Sequence, residues 1–299
     1  MNEANNFCLV RPLMSIKSIF HALIVLPIFL GINTLYASDD LRVMTFNVRY
    51  PNPEDGINIW ENRRDILVKV VQKFSPDVMG TQEIFVQQAH YIVQHLPQYK
   101  WFAVDRFGGH DNEHMGIFYN TDRVTLSDHG MFWLSHTPDV PGSIGWGATL
   151  PRYVNWGVFE YRKNSVSHRG RRFLFLDTHF ANRDVEDAPA RAHSVRLILE
   201  KLPQLAHGLP IILVGDFNSA PMDEAHRLME KGLVDMWEHT AHKEGPEGTF
   251  HDFTGQSQVM LDYIMTQGFK AIWMKVDTFH QGERYPSDHF PVEAILRAN

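Results

Sequence analysis

The apolar positions along the chain form short runs and longer periodic segments, which predict a mixture of strands and helices. Residues 41–48 (LRVMTFNV) form an apolar run of strand-forming residues that ends in polar side chains. Residues 61–74 (ENRRDILVKVVQKF) repeat apolar positions at helical spacing, and the Ser-Pro pair that follows ends this helix. Residues 77–80 then begin a second short, buried strand that leads into the sequence TQE.

Further segments of both kinds follow along the chain. Strand-like runs recur at residues 116–119, 153–161, 172–180, 211–217 and 261–265. Helical patterns lie between some of them, at residues 186–205 and 223–231. Strands and helices do not alternate strictly, which favours stacked layers over a barrel. We therefore predict one α/β domain over residues 38–299.

The beginning of the chain has the pattern of a secretory signal peptide. Lys17 precedes an apolar run at residues 22–30, and small residues follow that run. We expect residues 1–37 to be cleaved and the mature protein to be exported, either periplasmic or secreted. The alternative is an uncleaved N-terminal anchor, although the run is short for a span of ~20 residues and Pro27 interrupts it.

Composition excludes several classes of protein. Hydrophobic residues make up 44% and charged residues 21% of the 299 positions, which is typical of a globular domain and not of a disordered chain. The net charge of −7 gives no general attraction to nucleic acid or anionic membranes. The single cysteine, Cys8, lies in the predicted leader, so a disulfide framework and a Cys-rich zinc site are excluded.

Polar side chains at the ends of the predicted strands carry the candidate chemistry. They are Asn47 (TFNVR), Glu83 (GTQE), His179 (DTHF), Asp216 with Asn218 (GDFN), Asp262 (LDYI) and Asp288 with His289 (YPSDHFPV). Each of them alone is compatible with a turn cap or a structural histidine. Six such endings in one chain indicate a site, because rigid scaffolds place their chemistry where strands end in loops.

These motifs, in this order, resemble the endonuclease/exonuclease/phosphatase superfamily. The resemblance covers residues 41–295, and GDFN together with SDHFP is specific for it. It implies a deoxyribonuclease I-like α/β fold, which is a four-layer αββα sandwich with two mixed β-sheets packed face to face and helices outside. The YPSDHFP form is most similar to the deadenylase-like branch and to uncharacterised exported bacterial members.

The resemblance implies a divalent metal ion held by oxygen ligands. Glu83 matches the family's main metal ligand, and Asn47 and Asp288 are further candidate ligands. Carboxylate and amide oxygens suit Mg²⁺, with Mn²⁺ as a substitute, better than zinc.

It also implies the groups that move protons. Asp216 matches the residue that orients or deprotonates the attacking water, and Asn218 holds this water and the phosphate in line. His289 matches the catalytic histidine at the scissile phosphate. Asp262 matches the carboxylate that fixes the tautomer of this histidine and favours its charged form.

Three further residues complete the predicted site. The nuclease branch of the family implies a second His–carboxylate pair, for which Glu113 and His179 are the matching positions. Arg152 has two interpretations of equal weight, a contact to the substrate phosphate or a surface salt bridge. His110 and His114 have the i,i+4 spacing of a metal-binding pair, but we favour a polar loop, since two glycines precede this segment.

We predict a hydrolase of phosphodiester bonds, an exported and metal-dependent phosphoesterase with nucleic acid as the favoured substrate. We expect a monomer without stable membrane insertion after cleavage. The alternatives are a sphingomyelinase-like or small-molecule phosphoesterase and a non-catalytic binding module. The binding module is disfavoured because Glu83, Asp216 and His289 are all present.

Overall fold

The computed structural model describes residues 40–162, 171–257 and 259–299. The predicted signal peptide lies outside the described residues and stays a prediction. Within the described ranges, no helix is both long enough and apolar enough to cross a membrane.

Thirteen strands and four α-helices form the described part of the chain. The strands are β1 (Leu41–Asn47), β2 (Val78–Ile84), β3 (Tyr99–Phe102), β4 (His114–Asn120), β5 (Val124–Trp133), β6 (Tyr153–Tyr161), β7 (Arg172–His179), β8 (Ile211–Asp216), β9 (Val234–Asp235), β10 (Lys243–Glu244), β11 (Asp262–Gln267), β12 (Phe269–Val276) and β13 (Val292–Ala298). The helices are α1 (Trp60–Phe74), α2 (Val86–His95), α3 (Ala188–Ala206) and α4 (Glu224–Met229).

The strands form two mixed β-sheets that pack face to face. The first sheet has the order β10-β12-β13-β1-β2-β4-β3, and the second has the order β5-β6-β7-β8-β11-β9. Strands β1, β2 and β4 face strands β6, β7 and β8 across the interior. Helix α2 packs against β3 and α1, while α3 packs against β7 and α4. The predicted four-layer arrangement of two sheets and flanking helices is confirmed.

The two sheets come very close together at Gly80 in β2. A Cβ atom at this position would lie 2.4 Å from Cγ2 of Val214 and 2.8 Å from the carboxyl group of Asp177, so glycine is required. Gln82 Nε2 donates a hydrogen bond of 2.6 Å to Asp177 Oδ1 across the same gap. Burial raises the pKa of Asp177 well above its ordinary value. This contact fixes the spacing of the sheets just below the strand ends that carry the predicted site.

Glu293 is a buried carboxyl in strand β13, followed by the apolar residues Ala294, Ile295 and Leu296. Burial and the nearby charge of Asp277 raise the pKa of Glu293 to about 8, although Lys275 opposes this increase. The folded protein therefore retains a proton that the unfolded chain releases near pH ~4.3. Between pH ~4.3 and about 8 the folded state binds more protons than the unfolded state. The free energy of unfolding must therefore decrease as the pH rises through this range.

We predict that Glu293→Gln removes this dependence on pH. The variant should match the wild type near pH 5 and exceed it above pH 8, because the wild type loses up to about 1.4 kcal/mol per pH unit between these limits. Denaturant unfolding at pH 5, 7 and 9 measures the difference. Parallel stability curves for the two proteins would contradict the prediction.

Candidate active site

The topology of the first sheet brings three of the predicted motifs to one end of the sandwich. Strands β1 and β2 run parallel, so that Asn47 and Glu83 lie at neighbouring strand ends. Strand β13 runs antiparallel to β1, so the residues that precede β13 lie at the same end. His289 is in this preceding segment, and Ser287 ties the segment to β1 by donating a hydrogen bond of 2.6 Å to the carbonyl of Asn47.

The second sheet presents its motifs at the same end. Strands β7 and β8 run parallel, with His179 in register with Asp216. Strand β11 runs antiparallel to β8 and begins with Asp262, which also pairs with Asp216. Asp216 therefore lies between His179 and Asp262, at the ends of three neighbouring strands.

Asn47 joins the two sets of residues. Its Nδ2 donates hydrogen bonds to Glu83 Oε1 at 3.1 Å and to Asp216 Oδ2 at 3.0 Å, so one amide group links a carboxylate of each sheet. Its Oδ1 accepts a hydrogen bond from the backbone of Arg49 at 3.0 Å. Glu83 has a positive φ of 61°, a conformation that costs free energy in a residue with a side chain. Backbone strain of this kind concentrates at functional sites.

His289 and Asp262 form a buried, hydrogen-bonded pair. The distance from His289 Nδ1 to Asp262 Oδ2 is 2.8 Å, and His289 Nε2 lies 3.9 Å from Asp216 Oδ2. Burial favours the neutral ring, but the charge and the hydrogen bond of Asp262 outweigh it and raise the pKa of His289 to about 10. The imidazole is therefore protonated at neutral pH, and its second N–H is directed towards the carboxylate of Asp216.

Asp216 has the pKa of a group that exchanges protons near neutral pH. Burial and then the charge of Asp262 raise the pKa of Asp216 to about 7, although His289 opposes the increase. The backbone N–H of Asn218 donates to Asp216 Oδ1 at 2.9 Å. Asn218 itself has a positive φ of 44°, and its Nδ2 donates to the carbonyl of Phe180 at 3.1 Å. This local turn fixes the orientation of the Asp216 carboxylate.

The structure contradicts the predicted pairing of Glu113 with His179. The carboxylate of Glu113 forms an ion pair with Arg106. His179 Nε2 instead lies 3.5 Å from Asp216 Oδ2, and its Nδ1 has no hydrogen-bond partner among the described residues. Burial and the charges of Arg152 and Arg106 lower the pKa of His179 well below its ordinary value, so its ring is neutral. The prediction was wrong because the loop before β4 directs Glu113 towards an arginine that local sequence patterns do not reveal.

Arg152 is buried, so its interpretation as a surface salt bridge is wrong. Only 5% of the residue is exposed, and within the described ranges its guanidinium forms no salt bridge. Its Nη2 donates to Asn182 Oδ1 at 3.2 Å, while Nε and Nη1 have no partner in the described part of the chain. A buried cation with free donors beside Asp216 is compatible with the predicted contact to a substrate phosphate.

Comparison with known proteins identifies the family. The sequence model of the Endonuclease/Exonuclease/phosphatase family matches residues 44–289. The chain belongs to this family. The structure is similar to that of a mannosyl-6-phosphatase from Bacteroides thetaiotaomicron, with 35% identity, a TM-score of 0.79 and coverage of 86% of this chain and 99% of that one.

Comparison by sequence also found relatives, among them a viral and a yeast protein. An uncharacterised protein of Acanthamoeba polyphaga mimivirus is 30% identical over 60% of this chain and 67% of its own length. A probable RNA exonuclease of Saccharomyces cerevisiae is 21% identical over 64% of this chain and 40% of its own length. The match with the yeast protein therefore covers less than half of that protein.

Members of this family generally use a divalent metal, and candidate oxygen ligands lie at this end of the sandwich. Asp288 is buried, and burial raises its pKa, with the neighbouring charge of Glu83 adding to the increase. His289, Arg49 and Arg63 oppose this increase, and Arg49 Nη1 lies 3.5 Å from Asp288 Oδ2. The two carboxylates and the amide oxygen of Asn47 are hard oxygen donors, which suit Mg²⁺. Among the described residues, Asp216, Asp262 and His289 also bring one potential ligand atom each within 4.8 Å of one another.

Sequence reasoning did not identify three arginines that shape the site. Arg106 pairs with Glu113, and Arg49 approaches Asp288. Arg63 is fully buried in α1, and its guanidinium donates to the carbonyls of Val48, Arg49, Tyr50, Asn58 and Pro286. Arg63 thereby holds together the loop after β1 and the loop before His289. Arg63 precedes the buried Ile66 and Leu67 by three and four residues, and this helical spacing could have indicated that Arg63 lies on the buried face of α1.

We predict that Asp262→Asn lowers kcat by roughly 10²- to 10⁴-fold while the protein remains folded. Loss of the carboxylate removes the charge that keeps His289 protonated, so the pKa of His289 should fall from about 10 towards its ordinary value. Steady-state kinetics and NMR titration of the histidines measure the two effects.

The chain offers a matched control at a second buried His–Asp pair. His226 Nε2 lies 2.9 Å from Asp235 Oδ2, outside the site. Asp235→Asn should leave kcat unchanged. Equal losses of kcat in the two variants would show that Asp262 acts only through stability.

Proposed function

We propose that this protein is a divalent-metal-dependent hydrolase of phosphate esters. The observation that carries the proposal is the connected group formed by a protonated histidine, His289, its partner Asp262, and Asp216, which Asn47 links to Glu83. Phosphate esters resist attack because their anionic oxygens repel nucleophiles. A site for ester hydrolysis must therefore combine a base for water with groups that offset negative charge.

Glu83 and Asp288, with Oδ1 of Asn47, are the residues that would hold the metal ion. Bound there, a divalent ion supplies Lewis-acid stabilisation of the charge on the phosphate oxygens. The role of Arg49 is to balance the charge of Asp288 from the side, at 3.5 Å. Tyr50 contributes a backbone N–H to Glu83 Oε2 at 3.2 Å and keeps the carboxylate in one orientation.

The proton-transfer groups are Asp216, which accepts a hydrogen bond from Asn47, and His289, which lies beside Asp216. Asp216, with a pKa of about 7, accepts the proton of the attacking water. Asn218 orients Asp216 through its backbone N–H. His289 carries a positive charge at neutral pH and stabilises negative charge on the phosphate or the leaving oxygen through Nε2–H. Asp262 fixes the ring through Nδ1.

A small phosphorylated molecule such as a sugar phosphate is the favoured substrate. The support is the 35% identity and nearly complete coverage of the Bacteroides mannosyl-6-phosphatase, together with the net charge of −7, which does not favour binding of long polyanions. Nucleic acid remains the second candidate, supported by the similarity to the yeast probable RNA exonuclease. We also propose that the mature enzyme is exported, on the basis of the leader pattern at residues 1–37.

A substrate panel tests the function. It contains mannose 6-phosphate, single-stranded DNA, RNA and sphingomyelin, each with Mg²⁺, Mn²⁺ or EDTA. We expect metal-dependent release of inorganic phosphate from the sugar phosphate. Cleavage of DNA or RNA alone would instead support the second candidate, and absence of metal-dependent hydrolysis on all substrates would contradict the proposal.

We predict that Glu83→Gln raises the Mg²⁺ concentration needed for half-maximal activity by about 10-fold or more, because a neutral amide is a weaker ligand than a carboxylate. Metal titration of the rate measures this change. Glu247→Gln is the control. Glu247 is a carboxylate that accepts a hydrogen bond from Trp237, and it is distant in sequence from Glu83. An unchanged Mg²⁺ requirement in Glu83→Gln would exclude Glu83 as a ligand.

A further inference from the structure

We propose that Arg106 and Arg152 together bind a dianionic terminal phosphate, so that the site prefers phosphomonoesters to phosphodiesters. This inference rests on the proposed phosphoester hydrolase function, whose favoured substrate is a monoester, and adds the residues that select the terminal phosphate. It starts from side-chain nitrogens that are buried and that have no hydrogen-bond partner anywhere in the described ranges. These atoms are Arg106 Nε, Arg152 Nε, Arg152 Nη1 and His179 Nδ1.

The positive charge of the two arginines is incompletely compensated. Arg106 is 3% exposed and forms an ion pair with Glu113, whereas Arg152 has only the neutral amide of Asn182 as a side-chain partner in the described part of the chain. Burial and then the charge of Arg152 lower the pKa of Arg106 to about 10. A buried cation without an anion is destabilising, because burial removes its hydration and nothing replaces it. An anionic ligand with several oxygens removes this cost.

Backbone contacts hold both arginines in place. Trp133 Nε1 donates to the carbonyl of Arg106 at 2.8 Å, and the next residue, Leu134, donates its N–H to the carbonyl of Arg152 at 2.7 Å. Consecutive residues at the end of β5 therefore hold the two arginine segments side by side. Preorganised donors bind an anion without an ordering cost at the moment of binding.

The loop that carries Arg106 is fixed from within. The carboxylate of Asp105, the preceding residue, accepts hydrogen bonds from the backbone N–H groups of Phe107, Gly109, Asp111 and Asn112 at 2.8–3.0 Å. Asp105 is 3% exposed. The loop is thus a rigid element that presents Arg106, and not a flexible surface segment.

The arginine pair adjoins the catalytic carboxylates. Glu83 is close enough to both guanidinium groups to influence their pKa values, and Asp216 influences that of Arg152. Both arginines also lower the pKa of the neutral His179. His179 Nε2 lies 3.5 Å from Asp216 Oδ2, so an anion bound by the pair beside His179 would be near Asp216, which can direct a water molecule to its phosphorus atom.

The charge of the pair suits a monoester better than a diester. A phosphomonoester carries about −1.5 to −2 charges at pH 7 and three terminal oxygens, whereas a diester carries one charge and two such oxygens. Arginine binds phosphate oxygens in a bidentate manner, so two arginines match the larger number of oxygens. Hydrolysis forms one P–O bond from water and breaks the ester P–O bond. The proton passes to the leaving oxygen, and an alcohol and inorganic phosphate are released.

Comparison of two matched esters tests the preference. We expect the wild type to favour p-nitrophenyl phosphate over bis-p-nitrophenyl phosphate. Arg106→Gln should lower kcat/KM by about 100-fold for the monoester and by less than about 5-fold for the diester. Arg297→Gln is the control, because it removes an arginine from an ion pair with Asp40 near the last residue of β13, away from the site. Its ratio of the two rates should equal that of the wild type.

Binding of inorganic phosphate provides a readout that does not need turnover. In EDTA, calorimetry should show phosphate binding to the wild type and about 10-fold or greater weakening in Arg106→Gln. Arg106→Lys, which keeps the charge and loses the bidentate geometry, should fall between the two. Melting temperatures of both variants show whether each is folded, and the lysine variant retains the test if the glutamine variant unfolds.

The outcomes separate this inference from the proposed function. Equal losses for both esters, wild-type preference for the diester, or phosphate binding that is unchanged in Arg106→Gln would each overturn the inference while leaving a phosphoesterase. A wild type that hydrolyses neither ester with Mg²⁺ or Mn²⁺ would overturn the proposed function. In that case phosphate binding in EDTA still decides whether Arg106 and Arg152 form an anion site.

Discussion

The amide of Asn47 is the contact on which the geometry of the site depends. Glu83 belongs to one sheet and Asp216 to the other, and two N–H groups of one side chain bind both carboxylates at 3.0–3.1 Å. Without this donor, two carboxylates of like charge, the buried Asp216 and the half-buried Glu83, would face each other at the strand ends of the two sheets, which is unfavourable. The close approach of the sheets at Gly80 makes this bridge possible, since one short side chain spans the gap.

The surroundings of the two histidines set their charges in opposite directions. His289 has Asp262 at hydrogen-bond distance and Asp216 nearby, so its pKa rises to about 10. His179 lies beside the same Asp216 but also beside Arg152, and it is neutral. Environments that separate the pKa values of similar groups in this way assign distinct roles to them. The two histidines therefore differ in charge although the Nε2 atoms of both lie within 4 Å of Asp216 Oδ2.

The sequence predicted those features that depend on local pattern. Residues 153–161 coincide with β6, and the helix predicted at 61–74 begins one residue earlier, because apolar spacing reports directly on burial. Strand β5 has no such signal, since most of its residues are exposed or half-buried at the edge of its sheet. The strand-end residues were found because polar side chains interrupt apolar runs there. Arg106, the partner of Glu113, was missed because a loop contact of this kind produces no periodic pattern in the sequence.

A buried His–Asp pair does not by itself mark an active site in this protein. His226 and Asp235 form such a pair at 2.9 Å, nearly the same distance as the 2.8 Å between His289 and Asp262. The pair of His289 and Asp262 differs in its surroundings. The third carboxylate near its free ring nitrogen, Asp216 at 3.9 Å, is buried, whereas the one near His226 Nδ1, Glu230 at 3.7 Å, is exposed. Glu83 and Asn218, which have a positive φ, also lie at the site of His289. Strain and uncompensated charge reduce stability, and the apolar core offsets them. The concentration of these unfavourable features at one end of the sandwich is therefore the physical argument that this end binds a charged ligand.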